Sequence, residues 1–382
     1  MPQNMRQRLV QNDLDAFDRL RVRDVSAGFG DAASNFLAEF QSTAASLEPD
    51  ERIKLVVSRH EGGVELLKAV LADPQANKIC SLFWWYEGKE DVNLVLPLLI
   101  NHCPGLASLE VDFKHHSAFD FVSSVLERPN NKVKVLEMTG HPEGDFTRFF
   151  VALGQSQVSA LALSHFPKFA QGLHEYLARD LLVRLDVQMN YVQVSSEMMM
   201  LLAECTRLTK LKMLRCVFSQ PTAFTFPKSI TKLELCHCLF VGGFDWSFLA
   251  SSNVRELDLR SMAGVDGNRL GSALAVQLRA KGLDTLRLDC RDFVNKTLAT
   301  AGVELGRIKR LEIYSDLNDA SIKLIALALQ SPDSEMRELV FALRGQHGKQ
   351  YHGPFGVGVE APQLQLGQAE ALDLWTRARR SS

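Results

Sequence analysis

Eleven leucines recur along this chain in one frame: an apolar residue, two residues, Leu, one residue, then a second apolar residue. Ile79-Leu82-Trp84, Leu106-Leu109-Val111 and Val133-Leu136-Met138 open the series. Leu161, Leu185, Leu211, Leu233, Leu257, Leu286, Leu311 and Leu339 continue it, at spacings of 22 to 29 residues. So regular a series constrains the fold more than any single motif could. Each unit supplies one short strand, and one strand cannot bury its apolar face alone, so neighbouring units must stack. At roughly 4.8 Å per strand, eleven strands make an arc on the order of 50 Å.

Between the leucines the apolar period changes from two to about 3.6. Phe146, Phe149, Phe150 and Leu153 share a helical face, as do Phe119, Val122, Val125 and Leu126, and again Leu270, Leu274 and Leu278. Strand followed by helix, many times over, predicts an α/β fold with a parallel sheet on one side and helices on the other. Two intervals depart from this. Ser219–Pro227 holds two prolines and Val241–Leu249 is short and glycine-broken, so irregular or single-turn segments are expected there.

The frame resembles the leucine-rich repeat, and the longer units resemble its ribonuclease-inhibitor-like subfamily. Asn190, Cys216 and Cys238 occupy the family's Asn/Cys position, while Phe166, Met262 and Arg344 depart from it. The resemblance implies a solenoid with a curved parallel β-sheet on the concave face, mostly helices on the convex face, and helical caps. It places a helical N-terminal cap at 1–75, about eleven units at 76–344, and a loop with a C-terminal capping helix at 345–382. Leu55 and Val57 lie 27 residues before Leu82 and Trp84, so a degenerate first repeat can fall inside the N-terminal segment. Leu14, Phe17 and Leu20–Val22 read as one helical stripe and Phe36, Leu37 and Phe40 as another, with Asn12 and Asp31 as N-caps. Val64, Leu67, Val70 and Leu71 form the inward face of a helix over 62–73. At the other end, Gly345 to Gln365 reads as loop, and Leu366, Ala369, Leu372 and Trp375 as the last helix, its basic tail suited to a helix C-terminus.

Recognisable chemistry is sparse. Cys236-His237-Cys238 has no second paired spacing to complete a tetrahedral metal site. Cys216 and Cys238 read instead as neighbouring reduced thiols that satisfy backbone groups. His115, His116 and His141 read as surface residues near turns, and the Gly353–Gly358 stretch lacks the Lys-Ser/Thr of a phosphate loop. Met198–Met200 reads as helix core. No nucleophile stands beside a base in a known pattern, so no catalytic residue, metal or cofactor is expected and the chain is not expected to be an enzyme. With 43 basic and 45 acidic residues it lacks the charge excess of a nucleic-acid binder, and it has no apolar run of membrane-spanning length. The polar opening residues, Met1 to Asp13, lack a cleaved signal's apolar core.

The sheet face therefore holds the candidate site. Side chains alternate along a strand, so residues flanking each central Leu form outward columns. The candidate partner-binding residues are Trp85, Glu110, Asp112, Glu137, Arg184, Asp186, Lys210, Lys212, Lys232, Glu234, Asp258, Arg260, Arg287 and Tyr314. The column after the Leu is acid-rich and the column before it more basic, with Trp85 and Tyr314 as anchor-type aromatics. The alternative is a solvated face whose charges pair laterally, with Trp85 covered by the N-terminal cap. The resemblance implies a monomeric protein-interaction module, cytoplasmic or delivered into a host cell as a bacterial type III secreted effector. A ubiquitin-ligase substrate adaptor with a small N-terminal helical segment is the alternative function.

Overall fold

Within each compact unit the central leucines of adjacent repeats lie directly opposite one another in parallel strands. A computed structural model describes residues 21–27, 33–48, 51–57, 63–86, 92–113, 117–140, 146–164, 182–194, 196–219, 226–289, 291–315, 317–342 and 363–367. The chain divides into two compact units, one built from residues 1–189 and 196–207, the other from 190–195 and 208–382.

In the first unit, strands β1 (Arg21–Ala27), β2 (Glu51–Val57), β3 (Ile79–Tyr86), β4 (Ser108–Phe113), β5 (Val135–Gly140), β6 (Ala160–Ser164) and the start of β7 (Arg184–Gln193) pair in chain order, all parallel. The register runs Val25, Leu55, Leu82, Leu109, Leu136, Leu161, Leu185, and all seven side chains are buried. Parallel strands need long crossovers. These carry helices α1 (Ala33–Ala45), α2 (Gly63–Leu71), α3 (Val92–His102), α4 (Ser117–Leu126) and α5 (Thr147–Gln155), each touching the next; α6 (Ser196–Glu204) also belongs to this unit. Their predicted apolar faces point inward: Phe119, Val122 and Val125 of α4, and Phe149, Phe150 and Leu153 of α5, are buried. Trp84 of β3 meets Phe121 of α4 edge to face at 5.2 Å.

Strand β1 corrects the expectation that residues 1–50 are helical. Val22-Val25-Ala27 repeats the frame with Val in the Leu position, and this β-branched segment pairs with β2. Leu55 sits in register with Leu82, so β2 is the degenerate unit that preceded the series. The helix expected around Phe36 and Phe40 is α1, and that over 62–73 is α2; the stripe at Leu14–Leu20 and its Asn12 cap lie outside the described residues, as does Asp31.

In the second unit, β8 (Lys210–Ser219), β9 (Lys232–Cys236), β11 (Glu256–Arg260), β12 (Leu283–Asp289), β13 (Ile308–Ile313) and β14 (Glu338–Ala342) pair in parallel, and the short β10 (Leu239–Val241) continues beside β8. The register here is Leu211, Leu233, Leu257, Leu286, Leu311, Leu339. Helices α7 (Phe248–Ser251), α8 (Gly267–Lys281), α9 (Arg291–Ala301) and α10 (Asp319–Gln330) fill the crossovers. The segment at 241–249 is irregular up to Ser247 and then enters the single-turn α7 at Phe248, as its glycines and shortness predict. Aromatic rings fill that volume instead. Phe218 stacks on Phe240 at 4.8 Å, and Phe244, Trp246, Phe248 and Phe226 close around them.

Strand β15 (Gln363–Gly367) pairs antiparallel with β14, Leu339 opposite Leu366. Gln365 and Leu366 were expected to end a loop and start a helix. Instead Leu364 and Leu366 alternate with glutamines at the strand period, which suits pairing. Ala369 to Trp375 and the Gly353–Gly358 stretch lie outside the described residues.

Candidate sheet-face interaction site

A central Leu faces the helices, so its two neighbours emerge on the open side of the sheet. Strand register then fixes which charges meet. In the second unit the column after the Leu runs Lys212, Glu234, Asp258, Arg287, Glu312, Val340. The column before it runs Lys210, Lys232, Glu256, Thr285, Arg310, Glu338.

These side chains pair both along and across strands. Lys232 Nζ reaches Glu234 at 3.0 Å and Glu256 at 3.3 Å. Arg260 grips Asp258 with Nε at 2.8 Å and Nη2 at 2.7 Å. Arg287 bridges Glu312 at 2.9 Å and Asp258 at 3.9 Å. Arg310 binds Glu312 at 2.6 Å and Glu338 at 2.8 Å. The Tyr314 hydroxyl donates to Glu312 at 2.5 Å, and the Arg260 guanidinium lies 5.9 Å from the Tyr314 ring centre.

Burial sorts the signs by depth. The side chains of Asp258 and Glu312 are 2% and 3% exposed, those of Arg260, Arg287 and Arg310 42%, 25% and 39%. Short carboxylates lie against the sheet and long guanidinium side chains lean over them. Burial works against the Glu312 charge, but hydrogen bonds from Arg287, Tyr314 and Arg310 outweigh it and hold its pKa below the ordinary glutamate value. Burial, then the Glu312 carboxylate, pushes the Tyr314 hydroxyl up to about 12, so it remains a donor. Burial, then Asp258, pushes the Cys236 thiol up to about 12; its sulfur lies 3.8 Å from Asp258 Oδ1.

The remaining candidates divide between placements. Lys210 is exposed and Lys212 half-buried, and neither has an ion pair among the described residues. In the first unit Glu110 faces Glu137 across the register, with Phe83 on its other side. Asp112 is buried and Lys54 approaches Glu110 at 3.9 Å. Burial, then Glu137, raises the Glu110 pKa against the pull of Lys54. Arg184 is exposed and hydrogen-bonds Asp186 two residues on. Trp85 sits on β3 opposite Asp112.

Asp258 lies buried beneath Arg260 and Arg287 and not at the surface where its column position placed it. Strand alternation assigns a side chain to a face but not to a depth. Glu312, Arg310 and Glu338 complete the cluster and were absent from the candidates. Their signal was in the columns: Glu312 has Arg287 in register beside it and Tyr314 two residues on.

The thiols serve the interior. Cys216 Sγ lies 3.5 Å from Leu214 O and Cys238 Sγ 3.4 Å from Met213 O, so both satisfy backbone carbonyls as expected. Cys236 contacts Asp258 while Cys238 contacts Met213 and its own strand's Cys236 O, so the two do not converge. Among the described residues no group of three or more His, Cys, Asp and Glu could hold a metal ion. His115, His116 and His141 lie outside those residues. Of Met198–Met200, Met198 is buried and Met200 is half exposed, so only part of that string is core. Among the described residues no helix is long and apolar enough to cross a membrane. No protein-family model matches the chain, and no curated protein matches it.

Proposed function

We propose that this chain is a leucine-rich-repeat protein of the ribonuclease-inhibitor-like kind, and that it binds a protein partner on the open face of its sheet. The observation that carries this reading is the arginine–tyrosine cluster of Arg260, Arg287, Arg310 and Tyr314. Arg and Tyr are over-represented among the residues that dominate binding energy at protein interfaces. Here they are held in place by carboxylates beneath them, so little side-chain freedom is left to lose on binding. The in-register leucines support the family reading, because they give the shared core that such repeats require.

The test compares affinity capture by three forms of the full chain: unaltered, Lys210→Glu with Lys212→Glu on the sheet face, and Val276→Glu with Leu327→Glu on exposed helix positions. Proteins retained by the unaltered chain are expected to be lost by the sheet-face variant and kept by the helix variant. The reverse pattern would overturn the reading.

A further inference from the structure

Charge accounting on the second unit's face gives a sign to the partner. All five carboxylates in the two columns flanking the central Leu are ion-paired: Glu234 and Glu256 to Lys232, Asp258 to Arg260 and Arg287, Glu312 to Arg287 and Arg310, Glu338 to Arg310; in the next column Asp289 lies in register with Arg260 and accepts from the Ser261 hydroxyl. Lys210 and Lys212, in the same columns, have no such partner among the described residues. The arginines are also not saturated. Arg260 uses Nε and Nη2, Arg287 uses Nε and Nη1, and Arg310 uses Nε and Nη1. Each therefore keeps one terminal NH2 group without a partner among the described residues. Glu234, Asp258, Glu312 and Glu338 each lie deeper than the cations that pair with them, Glu256 being the exception, so above these four carboxylates an approaching molecule meets a cation first.

We propose that the partner segment bound on this face is an acidic stretch of polypeptide, whose carboxylates accept from the spare terminal NH2 groups of Arg260, Arg287 and Arg310 and pair with Lys210 and Lys212. The inference rests on the sheet face being the interaction surface. Charge-assisted hydrogen bonds to guanidinium are strong and geometrically selective, which suits separated carboxylates. A continuous polyphosphate fits less well, because Glu256 and Glu338 are partly exposed between the cations and would oppose an unbroken row of negative charge.

The experiment is a fluorescence-anisotropy titration of labelled poly-L-glutamate, poly-L-lysine and a DNA duplex with the full-length protein. Two variants are used. Lys210→Glu with Lys212→Glu reverses charges that hold no ion pair among the described residues, though Lys212 lies in register beside Glu234, so its melting curve is recorded too. Asp258→Asn with Arg260→Gln removes a buried carboxylate together with the exposed guanidinium above it, so neither charge is left without the other, and its melting curve reports whether it folds. Poly-L-glutamate is expected to bind, to weaken with added salt, and to lose roughly tenfold or more in affinity in the lysine variant. The Asn/Gln variant, if folded, is expected to lose affinity as well. Binding of poly-L-lysine in place of poly-L-glutamate, tighter binding of the duplex through the same residues, or poly-L-glutamate binding that the lysine variant leaves unchanged would each overturn the proposal. If those results coincide with partner capture that still depends on Lys210 and Lys212, only the acidic assignment fails. If capture is indifferent to them, the sheet-face reading fails too.

Discussion

Glu312 and Glu110 occupy equivalent columns on their strands, yet their surroundings give them opposite roles. Glu312 accepts from Arg287, Arg310 and Tyr314, so its pKa is lowered in the fold. A lowered carboxylate pKa contributes stability that is fully present above the unfolded value, near 4.5, and is lost as pH falls through the folded value. Glu312→Gln is therefore expected to lower the melting temperature at neutral pH and flatten the acid side of the stability curve, as read by calorimetry from pH 7 downward. An unchanged acid limb would show that Glu312 is not linked to folding. Glu110 is raised by burial and by Glu137, so its charge opposes folding above its folded pKa. Glu110→Gln should leave the neutral-pH melting temperature unchanged or higher. Arg287→Ala removes the bridge between two buried carboxylates and should cost about 1 to 2 kcal/mol in urea unfolding, the loss of one charge-assisted hydrogen bond, because Asp258 keeps Arg260 and Glu312 keeps Arg310 and Tyr314. Cysteine chemistry follows from burial in the same way. Cys80, Cys103 and Cys236 are pushed by burial to about 11, 12 and 12. Only the thiolate reacts, so these three should resist alkylation at pH 8 in the native protein and react on denaturation; rapid native labelling, mapped by mass spectrometry, would contradict it.

Helices and strands were legible to different degrees. Every strand centred on a Leu of the frame stands where the frame put it, and the inward faces of α4, α5 and α8 match their 3.6-residue spacing. β1 was missed because Val25 takes the place of Leu and the segment follows an apolar stripe of helical spacing. β15 was missed because two leucines alternating with glutamine make too short a signal beside a glycine-rich stretch. Depth on the sheet face was not legible at all. The period of two places Asp258 and Arg260 on the same side, but only side-chain length and packing put the carboxylate beneath the guanidinium. Packing between elements also depends on glycines. Gly264 has φ +74°, and a Cβ there would lie 1.9 Å from Phe240 O, where β10 approaches. Gly264→Ala should cost about 3 kcal/mol, since it adds backbone strain to a steric clash; a thermal shift of less than a few degrees would count against this. Phe244 is the ring shared by Phe218, Phe240, Trp246 and Phe248 beside the crossover that carries only the single-turn α7. Phe244→Ala should cost about 3 to 5 kcal/mol, and a loss below about 1 kcal/mol in urea unfolding would show that the cluster does not replace a helix layer.

Across the chain, 43 basic and 45 acidic residues nearly cancel, which alone gives a partner no sign to recognise. Cancellation in sequence is not cancellation at a surface. On the second unit's sheet Glu234, Asp258, Glu312 and Glu338 are more buried than the cations paired with them, so although Glu256 stays exposed, guanidinium and ammonium groups stand above most of the carboxylates there. The repeat makes this possible, because one register brings the same column position to a neighbouring strand time after time and lets charges assemble across units far apart in sequence. The central claim is that this face meets an acidic partner. It is tested most directly by placing a photo-crosslinking amino acid at position 212 in one protein and at position 276 in another, then sequencing the peptides captured from lysate. Adducts are expected from position 212, with captured peptides rich in Asp and Glu, and not from position 276. Adducts from position 276 alone, or basic peptides captured at position 212, would contradict it.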